Sequence, residues 1–383
     1  MHTEEINIEY GLQNLVTLKT SDFGRTIRYI PLETTDESLV GGSPVIKVLK
    51  DYIVVESQRK CLLFDKKDGR FIAEIGSIGQ GPDEYNDVFS WTDEKEEFLY
   101  FLRRPNQLLK FDMKGNFSGR IAFSSPLGQF SYYLITDSEI IEYFKDLSPT
   151  RGYVLGFFDK EGVLKDSIPS LFPATEISAD EIKNISIFRN TGMNIMVIEY
   201  KNDTKSITCI NPPRIWKHNG SIRFKEDFID TIYTVSNKQL MPSITFNTGK
   251  YRWPAEERNS VRNTNEHIFI ADISENKDFI FFKCISGLYA DGRDKRDFYT
   301  GLFHKKTGET KIGKTDDLIA DDLTHFMPLT PLGISTAGEF VSLVEAYKIM
   351  EWVEEHPEAK NNEQLAFLKN LDEEMNPVII LIE

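Results

Sequence analysis

The chain has 383 residues, of which 45 are Lys or Arg and 60 are Asp or Glu, so its formal net charge is −15. Such acidity argues against a nucleic-acid partner, because neutralising phosphates requires clustered Lys and Arg, and it gives no support to binding an anionic membrane surface. The hydrophobic content of 40% is ordinary for a globular protein, and the aromatic content of 12% favours strands.

Neither a membrane span nor a targeting segment is visible in the sequence. No apolar stretch is long enough to cross a bilayer, and residues 1–5 are too polar and acidic for a signal peptide. A cytoplasmic protein and an exported protein whose leader has been removed both stay open. The three cysteines, Cys61, Cys209 and Cys284, are far apart. Their spacing predicts no zinc or redox site, although it leaves a disulfide open.

The first predicted elements are strands. Residues 1–25 form an N-terminal segment in which 15–18 is apolar, and residues 27–33 alternate between apolar and polar side chains. Short apolar runs separated by turns then continue to about Gly313. The first unit contains about four such runs, which is the content of one propeller blade, at residues 45–49, 52–55, 61–64 and 70–75.

A short motif follows the third strand of this unit and recurs along the chain. Its copies begin at Phe64, Phe111 and Phe158, which are 47 residues apart, and they read Phe-Asp-Lys-Lys-Asp-Gly, Phe-Asp-Met-Lys-Gly and Phe-Asp-Lys-Glu-Gly. A degenerate copy occupies residues 303–308. Apolar runs on both sides of a polar turn with glycine predict a β-hairpin, and a repeat of this length predicts stacked copies of one unit.

After Phe158 the period loosens. The fourth unit is longer, so we expect insertions around residues 170–184 and 201–221, and a sixth unit begins near Leu318. Helical spacing of Ala346, Ile349, Met350 and Val353 predicts a helical insertion over about 345–372 before a last strand at 377–382. The sequence therefore predicts an all-β fold in which residues 26–383 form a single six-bladed β-propeller. To avoid an open edge, the last strand should pair with an N-terminal strand such as 15–18.

Residues 75–85, Ile-Gly-Ser-Ile-Gly-Gln-Gly-Pro-Asp-Glu-Tyr, resemble the Gly-x-Gly-Pro-Gly-Glu-Tyr signature of the NHL-like six-bladed β-propeller proteins abundant in Bacteroidetes. Three further blocks are similar to that family, at 230–242, 320–323 and 376–379, although Asp83 replaces a usual Gly and Asp321 a usual Asn. The family is largely uncharacterised, and many members carry a lipoprotein-type leader. The resemblance therefore implies the fold and an exported, periplasmic or cell-surface location, but little chemistry.

Several residues are candidates for ligand contacts, each with an ordinary structural alternative. Glu84 and Tyr85 are expected near the channel mouth, or in a turn between blades. Arg103 and Arg104 are candidates to bind a carboxylate or sulfate on a ligand, and the alternative is that they lie in a surface turn. Trp216, Tyr251 and Trp253 lie in a long, turn-rich region. Their rings are candidates for stacking on a sugar, and the alternative is packing in the core. Asp322 is a candidate from its position in the family alone.

No catalytic constellation is visible. The six histidines do not pair at metal-ligand spacing, and no Gly-x-Ser-x-Gly elbow occurs. We predict no cofactor, while the identity of any catalytic residue and a metal ion in the channel stay open. The expected function is an exported, monomeric module that binds a small molecule, glycan or protein. The alternatives are a lyase or hydrolase in the funnel, with residues from several blades, and a sensor domain of a cell-surface assembly.

Overall fold

The structure is a computed structural model that describes residues 4–128, 130–145, 152–172, 179–190, 193–211 and 214–383. In this part of the chain strands form seven sheets. The chain begins with β1 (Glu4–Asn7), α1 (Ile8–Gln13) and β2 (Ile27–Pro31). The short 3-10 helices are Thr20–Asp22, Ala179–Glu181, Gly249–Tyr251, Ala255–Glu257, Arg293–Lys295, Thr315–Asp317, Pro357–Asn361 and Glu363–Lys369.

Three antiparallel sheets of four strands follow in chain order. Their second and third strands are buried on both faces, which explains continuous apolar runs such as 53–55 and 61–64. Sheet 1 contains β3 (Val45–Val48), β4 (Tyr52–Ser57), β5 (Lys60–Asp65) and β6 (Phe71–Glu74). Sheet 2 contains β7 (Ser90–Thr92), β8 (Phe98–Arg103), β9 (Gln107–Asp112) and β10 (Phe117–Ala122). Sheet 3 contains β11 (Tyr132–Ile135), β12 (Ile140–Tyr143), β13 (Tyr153–Phe158) and β14 (Leu164–Pro169).

A sheet of three strands, called the inserted sheet, comes next. It contains β15 (Ile182–Asn190), β16 (Met193–Tyr200) and β17 (Lys205–Asn211). One face of it packs through Ile195, Val197 and Ile207 against Trp253 and Phe269. Of its strands, β17 lies in the predicted 201–221 insertion, whereas most of β15 and all of β16 lie between the two predicted insertions, in residues expected to belong to the fourth blade. Residues 173–178 of the expected 170–184 insertion fall outside the described residues.

Three more sheets complete the chain. Sheet 4 contains β18 (Ile215–His218), β19 (Ser221–Phe224), β20 (Thr231–Ser236) and β21 (Gln239–Asn247), and β1 joins it parallel to β21. Sheet 5 contains β22 (Ile268–Glu275), β23 (Phe279–Ser286), β24 (Asp297–His304) and β25 (Glu309–Lys314). Sheet 6 contains β26 (Gly333–Ile334), β27 (Phe340–Val344) and β28 (Val378–Ile382), with β2 as its outer strand. The predicted helical segment is present before β28, as α2 (Ala346–Glu355) and two 3-10 helices.

The chain ends do meet in one sheet, but the predicted N-terminal partner was wrong. β2 pairs antiparallel with β28, whereas residues 15–18 form no strand and Val16 N–H donates to the Ile312 carbonyl. The reason is burial. Ile30 packs with Ile379 and Leu381 in one apolar cluster, while Leu15 and Val16 are 42% and 41% exposed.

Apolar clusters join successive sheets. Separate clusters link sheet 1 to sheet 2, sheet 2 to 3, 3 to 4, 4 to 5 and 5 to 6. Sheet 6 in turn packs on sheet 1, where Val341 and Leu381 meet Ile53 and Phe64. The first strands of several sheets are also neighbours, because β11 contacts both β7 and β18, and β22 contacts β26.

The repeated motif forms the hairpin between the third and fourth strands, as predicted. In its first copy the Asp65 carboxylate accepts the Lys67 N–H at 2.8 Å, and equivalent bonds form in the next two copies. The glycines adopt positive φ and abut the preceding sheet. A Cβ on Gly69 would lie 2.1 Å from the Pro31 carbonyl oxygen, and one on Gly162 would lie 2.3 Å from that of Ala122. The motif is therefore also a contact between sheets.

Candidate functional site

The third residue of the motif is a lysine in every copy except the second, which has Met113, and each of these lysines makes polar contacts. The Lys66 ammonium donates to Glu339 at 2.6 Å, and the Lys160 ammonium donates to the Thr136 carbonyl. In the degenerate copy, Lys305 occupies this position and donates to Glu275 Oε1 at 2.8 Å and to the Asn276 carbonyl at 2.6 Å. The hairpin repeat thus places a lysine beside the turn between the first two strands of sheet 5.

Lys305 belongs to a group that we call the Glu275 cluster, made of Trp216, His218, Arg223, Glu275 and Lys305. The Glu275 side chain is fully buried, and its Oε2 accepts the Trp216 indole N–H at 2.9 Å. His218 Nε2 lies 2.9 Å from Lys305 Nζ and 3.5 Å from Glu275 Oε1. Arg223 Nε is 3.6 Å from Glu275 Oε2. Four side chains from sheets 4 and 5 therefore surround one carboxylate.

The Glu275 cluster carries more positive than negative charge. Burial lowers the pKa of His218, and Lys305 and Arg223 add to this effect, which outweighs the opposite influence of Glu275. The imidazole is therefore neutral near pH 7, and its Nε2 accepts the hydrogen bond from the Lys305 ammonium. Two cations then face the single carboxylate of Glu275.

One N–H group of Arg223 has no hydrogen-bond acceptor among the described residues. Its Nη1 donates to the hydroxyls of Thr234 and Ser243. Its Nε is buried and has no hydrogen-bond partner among the described residues. Because a buried N–H without an acceptor costs about 1–3 kcal/mol, this group favours an added acceptor.

The cluster lies beside the neighbouring first strands. Lys217, between Trp216 and His218 on β18, pairs with Glu94, which follows β7 of sheet 2. The side chains of His218, Arg223 and Lys305 each retain a small exposed fraction, of 9%, 16% and 14%. The cluster is thus near the surface at the end of β18 and not in the deep core.

Three predicted residues form one turn and its support. Glu84 accepts the Gly81 N–H at 2.6 Å, and the Arg103 guanidinium donates to the backbone carbonyls of Glu84 and Gln80. Tyr85 is fully buried, donates to the Ile75 carbonyl at 2.8 Å and stacks on Phe101. The ring of Tyr85 therefore lies in the core between sheets 1 and 2, not at an open surface.

The other predicted residues lie elsewhere. Arg104 is exposed, and its backbone N–H donates to Asn86. Trp253 is buried beside the inserted sheet, and Tyr251 packs on the cluster between sheets 4 and 5. Asp322 accepts hydrogen bonds from Thr20 and Ser21. Although partial burial raises its pKa, these bonds lower it overall, so Asp322 anchors the N-terminal segment.

Of the predicted residues, Trp216 alone joins the Glu275 cluster. The sequence pattern did not identify His218, Arg223, Glu275 or Lys305, because they lie far apart along the chain. The available signal was Lys305, which keeps the motif position of Lys66 and Lys160 although His304 replaces the motif Asp. Within the described ranges, no group of three or more His, Cys, Asp or Glu side chains is arranged to hold a metal ion.

No helix among the described residues is long and apolar enough to cross a bilayer. The cysteines are free thiols, with Cys61 and Cys284 buried.

Comparisons with known proteins give a family and a fold. A family model described as a domain of unknown function, DUF4934, matches residues 3–383. The crystal structure of a Bacteroides fragilis protein that is predicted to be exported superposes with a TM-score of 0.66 at 15% identity, covering 100% of this chain and 98% of that one. At this identity the likeness shows the fold alone.

Two other solved structures are more distant. The WD40 repeats of RRP9 give a TM-score of 0.41 at 8% identity, covering 96% of this chain and 99% of that one. The β-propeller domain of Myceliophteria thermophila Cps50 gives 0.36 at 9% identity, covering 74% and 89%. No curated protein matches the chain.

Proposed function

We propose that this chain, which belongs to the family described as a domain of unknown function, DUF4934, is an exported module that binds an acidic sugar at the Glu275 cluster. One observation carries the proposal: two cations share a single buried carboxylate beside a half-buried indole. A ligand carboxylate or sulfate would supply the missing negative charge.

The proposed scaffold is a single six-bladed propeller over residues 26–383, with sheets 1 to 6 as blades. The apolar clusters that join each sheet to the next, and sheet 6 to sheet 1, support this arrangement. The contacts of β11 with β7 and β18 are those expected of innermost strands around a channel. The relationship to NHL-like propellers and the monomeric state stay predictions.

The chemistry of the cluster favours a sugar acid over a simple ion. Trp216 has an apolar ring that suits the face of a sugar. Arg223 Nε is suited to donate to a carboxylate, and the Lys305 ammonium, whose three N–H groups already bond Glu275, Asn276 and His218, attracts one by its charge. The second ring nitrogen of the neutral His218 imidazole is a hydrogen-bonding group for hydroxyls. Export is supported by the fold shared with the Bacteroides fragilis protein, and fractionation of the native cells tests it.

Calorimetric titration with acidic and neutral sugars tests the binding proposal. We expect glucuronate and galacturonate oligosaccharides to bind and the matching neutral oligosaccharides to bind at least about tenfold more weakly, since one charge-assisted hydrogen bond contributes about 1.5–3 kcal/mol. Lys305→Met should abolish this preference. Lys160→Met is the matched control, because Lys160 has the same motif position but bonds a backbone carbonyl. Equal binding of both sugar classes, or retained preference in Lys305→Met, would contradict the proposal.

A second candidate function is acid–base catalysis on such a sugar. It is favoured by the neutral His218, which lies within 2.9 Å of Lys305 and 3.5 Å of Glu275. Product formation from acidic polysaccharides, followed by NMR, distinguishes the two functions. An enzyme should lose turnover in His218→Asn while it retains binding, whereas a binding module should show no turnover in either protein.

A further inference from the structure

A second charged group lies at the other end of β18. We call it the Arg214 cluster, made of Lys145, Arg214, Lys225, Glu226 and Asp227. Arg214 directly precedes β18 and Lys225 directly follows β19, and their backbones are joined by a hydrogen bond of 3.0 Å from Lys225 N–H to the Arg214 carbonyl. Because His218 ends β18, the strand separates this cluster from the Glu275 cluster.

The charged side chains of the Arg214 cluster are more buried than such side chains usually are. Arg214 is 3% exposed and Lys225 is 1% exposed, and such residues are seldom buried unless paired. The nearby Cys209 belongs to the inserted sheet. Burial raises the pKa of its thiol to about 12, although the positive charge of Arg214 acts in the opposite direction. Cys209 and Phe228, the residue after Asp227, pack on the same apolar cluster, so the inserted sheet lies beside the Arg214 cluster.

The cations of this cluster outnumber their direct partners. Arg214 Nη2 lies 2.7 Å from Asp227 Oδ1, and Lys145 Nζ lies 3.7 Å from Asp227 Oδ2. The Glu226 carboxylate instead accepts from the Tyr143 hydroxyl and the Asp227 N–H. Two cations therefore share the carboxylate of Asp227.

Lys225 has a weaker set of contacts. Its ammonium donates to the Glu226 carbonyl at 3.1 Å, and no described carboxylate lies within 4.0 Å of it. Asp230 attracts it from further away and is bonded to the Thr248 hydroxyl. Arg214 Nε is buried and has no hydrogen-bond partner in the described part of the chain. A guanidinium donor and an ammonium thus both lack a full acceptor.

We propose that the Arg214 cluster binds a small oxyanion, a carboxylate or a phosphate, between Arg214 and Lys225 beneath the inserted sheet. The planar fork of a guanidinium matches two oxygens of such an anion, and an ammonium beside it adds a point charge. The anion offsets the desolvation of both cations. This site is separate from the proposed sugar site, since none of its residues belongs to the Glu275 cluster.

Thermal unfolding in sodium acetate or sodium phosphate, at constant ionic strength set with sodium chloride, tests the proposal. The protein is first refolded from urea in each buffer, so that the anion equilibrates under the inserted sheet. We expect a saturable rise in Tm of about 2–5 °C with one or both anions. Salt effects on hydrophobic burial do not saturate in this way.

Two variants and a matched control isolate the site. Lys225→Met removes the ammonium and should abolish the saturable rise, while Arg214→Lys keeps the charge but loses the fork and should weaken binding at least about tenfold. Lys66→Met, which removes a buried lysine paired with Glu339, should retain the rise. A flat response of the unmodified protein to both anions, or a rise that persists in Lys225→Met, would overturn the proposal. The anion that gives the saturable rise, or the larger rise if both do, is the preferred oxyanion.

Discussion

Gly162 and Gly308 occupy the same place in the motif, but their surroundings differ. Both have positive φ, of 82° and 73°, and alanine at such a φ costs about 1–2 kcal/mol. A Cβ on Gly162 would meet the Ala122 carbonyl oxygen at 2.3 Å, whereas one on Gly308 would have no atom within 4 Å. The pair therefore separates backbone strain from the contact between sheets.

We predict that Gly162→Ala lowers the free energy of unfolding by about 1–3 kcal/mol more than Gly308→Ala, because only the first overpacks a junction between sheets 2 and 3. Urea unfolding of both variants measures the difference. Equal losses would show that the backbone near Ala122 moves to accept the added Cβ at little cost. Glycine would then be needed at position 162 only for its positive φ.

Lys225 predicts a particular pH dependence. Burial, reinforced by Arg214, lowers its pKa from 10.5 to about 8. Between these values the unfolded chain binds more protons than the folded protein, so this residue makes stability rise with pH. Lys225→Met lacks that titration. We predict that its advantage in free energy of unfolding over the unmodified protein is largest below pH 8 and shrinks by about 3 kcal/mol towards pH 10.5.

Chemical unfolding at several pH values between 7 and 10.5, without acetate or phosphate, measures this difference. Burial also raises the pKa of the Cys61 and Cys284 thiols, which makes stability fall at alkaline pH. The Cys61 part of this contribution is common to both proteins and cancels in their difference, whereas Lys225 lowers the pKa of Cys284, so the Cys284 part belongs to the measured effect of Lys225. A difference independent of pH would show that Lys225 titrates normally.

At the scale of elements, local chemistry made the repeated hairpins predictable. An Asp that accepts the N–H two residues later and a Gly at positive φ are both written in the motif. The strands β15 and β16 of the inserted sheet contain apolar runs, at 185–188 and 195–200, that were assigned to the fourth unit, whereas β17 falls in a segment expected to be an insertion. Apolar alternation indicates a strand and does not indicate its sheet, because pairing depends on contacts distant in sequence.

The N-terminal segment shows the same limit and gives a further prediction. Ile6 and Ile8 are fully buried between sheets 4 and 5, whereas Leu15 is largely exposed. We predict that Ile8→Ala lowers the free energy of unfolding by about 2–5 kcal/mol and that Leu15→Ala changes it by no more than about 0.5 kcal/mol. Denaturant titration compares them. A larger loss from Leu15→Ala would restore the original expectation for residues 15–18.

For the whole molecule, the candidate site was hidden because its residues are distant in sequence. Trp216 was identified as an aromatic residue in a long unit, yet its partner Glu275 is 59 residues away. His218 belongs to no motif and meets Lys305 because sheets 4 and 5 are packed together. The sequence alone therefore predicts the repeated sheets of such a protein better than its site, since the sheets follow a repeated motif and the site residues do not.

The two clusters should act independently. Arg214 and His218 are at opposite ends of β18, about 13 Å apart at the usual rise per residue of a strand. Trp216 and Arg223 lie nearer to the Arg214 cluster, but their partners Glu275, Thr234 and Ser243 are not shared with it, and effects at sites without shared partners usually add within about 0.5 kcal/mol. We therefore predict that Lys225→Met leaves the affinity for acidic sugar unchanged and that Lys305→Met leaves the anion-dependent rise in Tm unchanged. The double variant should show the sum of the two changes in free energy of unfolding. A coupling larger than about 1 kcal/mol would mean that β18 transmits changes between its ends, which would make the sugar and the oxyanion ligands of one linked system.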